Sequence, residues 1–185
     1  MLNQFEFLSQ TQLFLLDRDG CLNKKPVNSR YVQKSEDIEF FDDALRFVKT
    51  LISMNRKLAV ITNQRGISMN LFALEDVVQM HKKLCSIVGI KETDFALFVC
   101  PHEKDTCDCR KPSPKMLLQA CQDYKVKPQQ AVFIGDSVSD FQAAKHADMS
   151  YIHINRNGKK IDSRLLPHCV SNFEVLRGFL PGKDF

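Results

Sequence analysis

Four short stretches of this chain carry residue types able to handle a phosphoryl group. They are Asp17-Arg18-Asp19-Gly20, Thr62-Asn63-Gln64, Arg110-Lys111-Pro112 and Gly135-Asp136, with Asp140 following the last. A carboxylate such as Asp17 can attack phosphorus and hold the group as an aspartyl-phosphate, dividing one difficult step into two easier ones. Asp19 lies two residues on, so along an extended segment its side chain returns to the face of Asp17. There it can protonate a leaving oxygen and later activate water. Lys111 and Thr62 can neutralise and orient phosphoryl oxygens, and Gly20 lets the backbone turn away beside them. Three acids gathered in one place repel, which raises the pKa of at least one. A divalent cation relieves that repulsion, and oxygen donors suit Mg²⁺.

A second constellation is Cys100-Pro101-His102 followed, after a short spacer, by Cys107-Asp108-Cys109. Three thiolates and an imidazole fill a tetrahedral Zn²⁺ shell and leave no position for water, which makes the expected site structural. It stands directly before Arg110-Lys111, so zinc would order the segment that presents them. The remaining Cys21, Cys85, Cys121 and Cys169 have no ligand spacing; Cys85 and Cys121 read as small core residues. His81, His146, His153 and His168 read as packing or surface residues.

These stretches need a scaffold that brings distant segments to one edge. Apolar runs at Gln12–Leu16, Leu58–Thr62, Phe95–Val99, Ala131–Gly135 and Ser150–Ile154 have the length of buried strands. Helical patterns lie between and after them. They cover Asp42–Met54, capped by Asp42 or Asp43, and Leu71–Val88. Another runs from the Ser113 cap and Pro114 to about Tyr124, then Val138–Ala147 and Val175–Leu180. The alternation predicts an α/β fold with a doubly wound parallel sheet, in which ligands bind at the carboxyl ends of the strands. Each phosphoryl-handling stretch falls at a strand end or just before a helix. The 185 residues, without a linker or repeat, predict a single domain over 1–185.

In this order and spacing, LLDRDG, ITNQ, RKP and GDSVSD resemble the four motifs of the haloacid dehalogenase (HAD) phosphatases, from about Leu13 to Arg156. The resemblance implies a Rossmann-like core, nearly capless, with a zinc-binding loop. It makes Asp17 the nucleophile and Asp19 the general acid and base. Phosphate or substrate binding is expected from Thr62, Asn63, Gln64, Arg65, Arg110 and Lys111, with Lys25 and Asn28 on the loop after the first strand. Mg²⁺ is assigned to Asp17, Asp19 (through its carbonyl oxygen) and Asp136, with Asp140 one layer behind. Cys100, His102, Cys107 and Cys109 are assigned to Zn²⁺.

The zinc loop narrows the resemblance to two groups. One is the D-glycero-D-manno-heptose 1,7-bisphosphate 7-phosphatases of lipopolysaccharide-core precursor synthesis, suggested by Asn23, Tyr31-Val32, Ile38–Phe41, Pro114–Leu118 and Gln142–Ala144. The other is the histidinol-phosphate phosphatases of histidine biosynthesis, whose short loop the four-residue spacer approaches. Three departures stand out. Cys21 replaces the usual Thr, Ser137 replaces a Lys, and Arg65 replaces a Ser, so that one cation is lost and one gained at neighbouring strand ends. Arg65 is expected either to contact the substrate's second phosphate or to be an exposed turn residue.

Composition limits the remaining classes. Lys+Arg 26 against Asp+Glu 22 gives +4, with no basic run of the kind that tracks nucleic acid, so a nucleic-acid 3′-end phosphatase is disfavoured. No apolar stretch approaches a membrane span. The opening residues lack a signal's basic region, and the seven cysteines are an odd number. Together these predict a cytoplasmic chain, monomeric, acting on a small sugar phosphate without nucleic-acid or membrane partners.

Overall fold

The computed structural model describes residues 4–26, 31–158 and 168–180. Strand β1 (Leu13–Leu16) is followed by α1 (Asp42–Ser53), β2 (Lys57–Asn63), α2 (Leu74–Val88), β3 (Phe95–Cys100), α3 (Lys115–Asp123), β4 (Ala131–Gly135), α4 (Val138–His146), β5 (Ser150–Ile154), β6 (Cys169–Val170) and α5 (Phe173–Arg177). All strand pairs are parallel, in the order β3-β2-β1-β4-β5-β6. The chain therefore starts in the middle of the sheet and winds outward both ways. Leu16 is level with Val60 and with Ile134, so the ends of β1, β2 and β4 meet at one edge.

Period-two alternation on β1 divides the core. Phe14 and Leu16 pack with Phe47, Leu51, Leu84 and Phe173 of α1, α2 and α5, while Leu13 and Leu15 pack with Leu117, Ala120, Ala143 and Ala144 of α3 and α4. All four β1 residues are fully buried. Each contributes about 1.5–3 kcal/mol of transfer free energy. The parity continues past the strand. Asp17 falls on the face of Leu13 and Leu15, where α3 and α4 begin.

The five expected strands all occur, within one residue at each end. The structure adds β6, whose two residues are too short to carry a period. Helix boundaries moved more. Helix α2 starts at Leu74 rather than Leu71, because the Leu71 N–H closes a turn on Gly66 and leaves Met69 and Leu71 exposed. Helix α5 starts at Phe173, with Asn172 accepting from the Val175 N–H, rather than at Val175. Neither Asp42 nor Asp43 caps α1; Phe41 is the cap residue and Asp43 is used elsewhere. Ser113 turns the chain one residue early, accepting from the Lys115 N–H, and Pro114 is the cap.

Between β1 and α1 the described residues form only isolated bridges, Asp19 with Asn23 and Asn23 with Phe40. Among the described residues the sheet edge there carries loops. Among the described residues no helix is long and apolar enough to cross a membrane.

Candidate active site

Asp17 emerges from the centre of the sheet, its N–H bonded to the Ile134 carbonyl of the neighbouring strand (2.9 Å). Its carboxylate faces Lys111, whose Nζ lies 2.5 Å from Asp17 Oδ1 and 2.7 Å from Asp140 Oδ1. Carboxylate oxygens of Asp17, Asp136 and Asp140 all lie within 4.8 Å of one another. Burial pushes the Asp17 carboxyl up to about 8; Lys111 opposes the rise, and Asp140 and Asp136 add to it. Burial lowers Lys111, but Asp140 and Asp17 outweigh that and hold it above the ordinary lysine range. The pair is therefore asymmetric, a firmly charged lysine beside a carboxyl that takes up a proton readily.

Asp140 serves two elements. One oxygen meets Lys111, and the other accepts from the Ser137 N–H (3.1 Å) and hydroxyl (2.7 Å). Ser137 Oγ in return accepts from the Asp140 N–H, a reciprocal cap that starts α4.

Asp19 does not join the carboxylate trio. Arg18 reaches it with Nη2 at 3.0 Å, Gln64 Nε2 donates at 2.7 Å and Asn23 Nδ2 at 3.1 Å. Burial raises its carboxyl, but the Arg18 charge and these hydrogen bonds prevail and hold it below the usual carboxylate range. The carbonyl assignment for metal is compatible with this placement, since the side chain is otherwise occupied. Arg18 has no distinctive sequence signal beyond standing between two acids.

Two expected ligand residues are used by the protein itself. Asn63 Nδ2 donates to the Lys111 carbonyl (3.2 Å), and Asn63 Oδ1 accepts from the Lys111 N–H (3.1 Å). This side chain clamps the Lys111 backbone to the end of β2. Gln64 is buried, and its Nε2 bridges Asp19 Oδ2 and Thr62 Oγ1 (2.7 Å each). Thr62 Oγ1 thus accepts from Gln64, leaving its own proton to donate to a ligand.

The other expected contacts are dispersed. Lys25 pairs with Asp136. Arg65 lies 3.1 Å from Glu103, so it ties the loop after β2 to the cysteine loop. Arg110 donates to the His102 carbonyl (3.3 Å). Asn28 lies outside the described residues. Cys21 is buried, with its thiol on the Ile134 carbonyl (3.5 Å). Arg156, which nothing in the sequence singled out, donates to the Cys21 carbonyl (3.0 Å), pairs with Asp43 (3.1 Å) and covers the Phe41 ring. It fixes the loop after β1 from outside.

The cysteine loop gathers as its spacing predicts. Cys107 Sγ is 3.6 Å from both Cys100 Sγ and Cys109 Sγ, and His102 Nδ1 is 3.4 Å from Cys109 Sγ and 3.8 Å from Cys100 Sγ. Metal–sulfur bonds of about 2.3 Å in a tetrahedron give edges of roughly 3.8 Å, so the four donors fit zinc. The oxygen trio fits a harder cation. Beside it, a Cβ on Gly20 would stand 2.3 Å from Asp136 Oδ2, so the open concavity requires glycine there, at φ +93°.

A parallel sheet ordered 3-2-1-4-5-6, with a buried acid at its central strand end, defines the class. Residues 10–148 match the family described as hydrolase, haloacid dehalogenase-like hydrolase. The chain belongs to that family. Among its relatives, the D-glycero-beta-D-manno-heptose-1,7-bisphosphate 7-phosphatase of Haemophilus influenzae is 32% identical over 154 residues, covering 79% of this chain and 82% of that protein. The D-glycero-alpha-D-manno-heptose-1,7-bisphosphate 7-phosphatase of Campylobacter jejuni is 34% identical over 159 residues, 82% of this chain and 86% of the relative. A solved D,D-heptose 1.7-bisphosphate phosphatase from B. bronchiseptica, complexed with magnesium and phosphate, superposes with a TM-score of 0.73. It is 24% identical, covering 91% of this chain and 99% of that one, and so shares the fold.

Proposed function

We propose that this chain is a Mg²⁺-dependent phosphomonoesterase that removes the 7-phosphate of D-glycero-D-manno-heptose 1,7-bisphosphate. The observation that carries the reading is the convergence of Asp17, Asp19, Thr62 and Lys111 at one sheet edge, in a chain about one-third identical to enzymes of that name over most of their length.

In this reading an Asp17 oxygen attacks phosphorus, the ester P–O bond breaks, and the departing oxygen takes a proton from Asp19. Water then attacks the aspartyl-phosphate, giving its proton to Asp19. The bond from phosphorus to Asp17 breaks and inorganic phosphate leaves. Lys111 and the Thr62 proton hold phosphoryl oxygens. Asp17, Asp136 and the Asp19 carbonyl would hold Mg²⁺, which supplies charge neutralisation when bound. Cys100, His102, Cys107 and Cys109 would hold a structural Zn²⁺. Asp19 rests as the anion, so it needs a proton before the first step. An incoming phosphate dianion raises its pKa by like-charge repulsion and favours that uptake.

Three measurements test this reading. Phosphate release from both anomers of the heptose bisphosphate, beside L-histidinol phosphate, should show a preference for the heptose of 100-fold or more in kcat/KM. Preference for histidinol phosphate would overturn the substrate assignment. The Asp19→Asn variant should lose about 10²–10⁴-fold on the sugar phosphate and far less on an aryl phosphate, whose leaving group needs no proton. Equal losses on both would remove Asp19 from the acid step.

Mg²⁺ binding carries a pH signature. Below about pH 8 the Asp17 carboxyl keeps its proton, and metal ligation requires the carboxylate. Binding at pH 7 should therefore release close to one proton, affinity should rise with pH, and both trends should flatten above about pH 8. Calorimetry in buffers of different ionisation enthalpy reads the proton count. No release between pH 6 and 9 would mean that Asp17 is already ionised.

A further inference from the structure

The carboxylate trio holds two lysines, and they are unequal. Lys111 is buried between Asp17 and Asp140 and is fixed by its backbone clamp to Asn63. Asp136 bonds neither to it nor, among the described residues, to any cation but one. That cation is Lys25, on the loop leaving β1. The Lys25 side chain is 58% exposed, against 18% for Asp136. It crosses directly over Gly20. A Cβ there would lie 2.6 Å from Lys25 Cε and 2.7 Å from Nζ, as well as against Asp136 Oδ2. The glycine thus leaves the space through which the exposed Lys25 side chain brings its ammonium to Asp136. Ser137, next to Asp136, brings no charge of its own. Its hydroxyl is spent on Asp140 and Ser139.

The charges decide what this ammonium does. With both ammoniums in place the metal-free trio is neutral while Asp17 holds its proton and carries one negative charge once Asp17 is ionised. With Mg²⁺ added and both lysines in place, the balance becomes positive by one. Asp136 cannot give the same lone pairs to an ammonium and to a dication. Lys25 is the cation that can leave, since its stem is exposed, whereas Lys111 is enclosed.

We propose that Lys25 is a tethered counter-ion that occupies Asp136 when the metal site is empty, yields to Mg²⁺, and then pairs with the phosphoryl group the metal recruits. The inference rests on the magnesium reading above. In it the lysine opposes metal binding and assists anion binding. A purely structural surface lysine would do neither, and a simple phosphate ligand only the second.

The test is calorimetric titration of the purified zinc-loaded enzyme with Mg²⁺ alone, then with inorganic phosphate at saturating Mg²⁺. Wild type, Lys25→Met, Lys25→Arg and Asp136→Asn are compared. Couplings between linked sites are commonly 5–150-fold. The expected result is Mg²⁺ affinity raised about fivefold or more in Lys25→Met, with phosphate affinity lowered by a similar factor and Lys25→Arg recovering the phosphate affinity. Unchanged or weaker Mg²⁺ binding in Lys25→Met overturns the proposal, as does tighter Mg²⁺ binding with unaltered phosphate binding. Failure of the underlying metal reading looks different: Asp136→Asn would then bind Mg²⁺ as well as wild type does. Thermal melting of the variants without metal gives an independent check. Lys25→Met should melt lower than wild type without Mg²⁺, and the gap should close when Mg²⁺ is added.

Discussion

Asp17→Asn is expected to lower kcat by about 10⁴-fold or more while leaving the fold intact, because among the described residues no second uncommitted nucleophile stands at the centre of the sheet. The neighbouring carboxylates are committed elsewhere, Asp140 to Lys111 and the start of α4, and Asp19 to Arg18, Asn23 and Gln64. Asparagine keeps the shape and can still accept from Lys111, which retains Asp140 as its ionic partner. Removing one member of a buried pair usually costs several kcal/mol. Here the retained acceptor and the relief of Asp17's own burial both reduce that cost. Phosphate release and a thermal melt, made on the same preparation, check both halves. Activity within 100-fold of wild type would mean that another group attacks phosphorus.

Loss of zinc is expected to be the second large effect. A zinc-selective chelator with Mg²⁺ in excess, or Cys107→Ser, should lower kcat/KM by about 10²-fold, the scale of a 1 Å misplacement of a positioning group. It should also lower Tm. In the proposed reading zinc would not touch the phosphoryl group; it would shape the segment leading into Arg110 and Lys111. That segment is also tied to the end of β2 and the loop after it, by Asn63 on the Lys111 backbone and by Arg65 on Glu103. Asn63→Ala should therefore be mild alone and severe in zinc-depleted enzyme, with losses exceeding the product of the two. Simple multiplication would show that loop and clamp act independently. Glu103→Gln should reproduce part of the zinc effect by freeing Arg65. A change confined to KM would instead restore Arg65 as a substrate contact.

The sequence made the strands legible because a buried parallel strand is a short apolar run between turn residues, and five of the six here have that form. The strand ends then located the residues to which the proposed chemistry is assigned. The cysteine and histidine cluster was legible for another reason, since its four members are local in the chain and lie together in the structure. What could not be read was whether a polar side chain serves a ligand or the protein. Asn63 and Gln64 have the composition of ligand contacts, yet one holds a backbone and the other joins Thr62 to Asp19. That distinction depends on what the opposing segment presents. Helix starts were misplaced for a similar reason. Asp43 is a good cap by type, but it accepts from the Phe173 N–H (2.8 Å) and pairs with Arg156, both distant in the chain. Arg156 itself left no periodic or motif signal, because its partners are a ring, a carboxylate and a carbonyl from two separate segments.

The double use of Asp140 has a consequence for how such a protein would decay. Loss of Asp19 strips the buried Arg18 of its ionic partner, but it leaves no helix start open and no buried lysine unpaired. Asp140 closes the first turn of a helix and neutralises a buried lysine, so its loss harms the fold even where turnover no longer matters. A descendant freed from selection for activity should therefore shed its acid–base residue early and keep the aspartate behind it. Such a remnant would carry a well-preserved aspartate at the start of α4 beside an erased reaction centre. In this fold, then, survival of Asp140 testifies less to the chemistry than survival of Asp19 does.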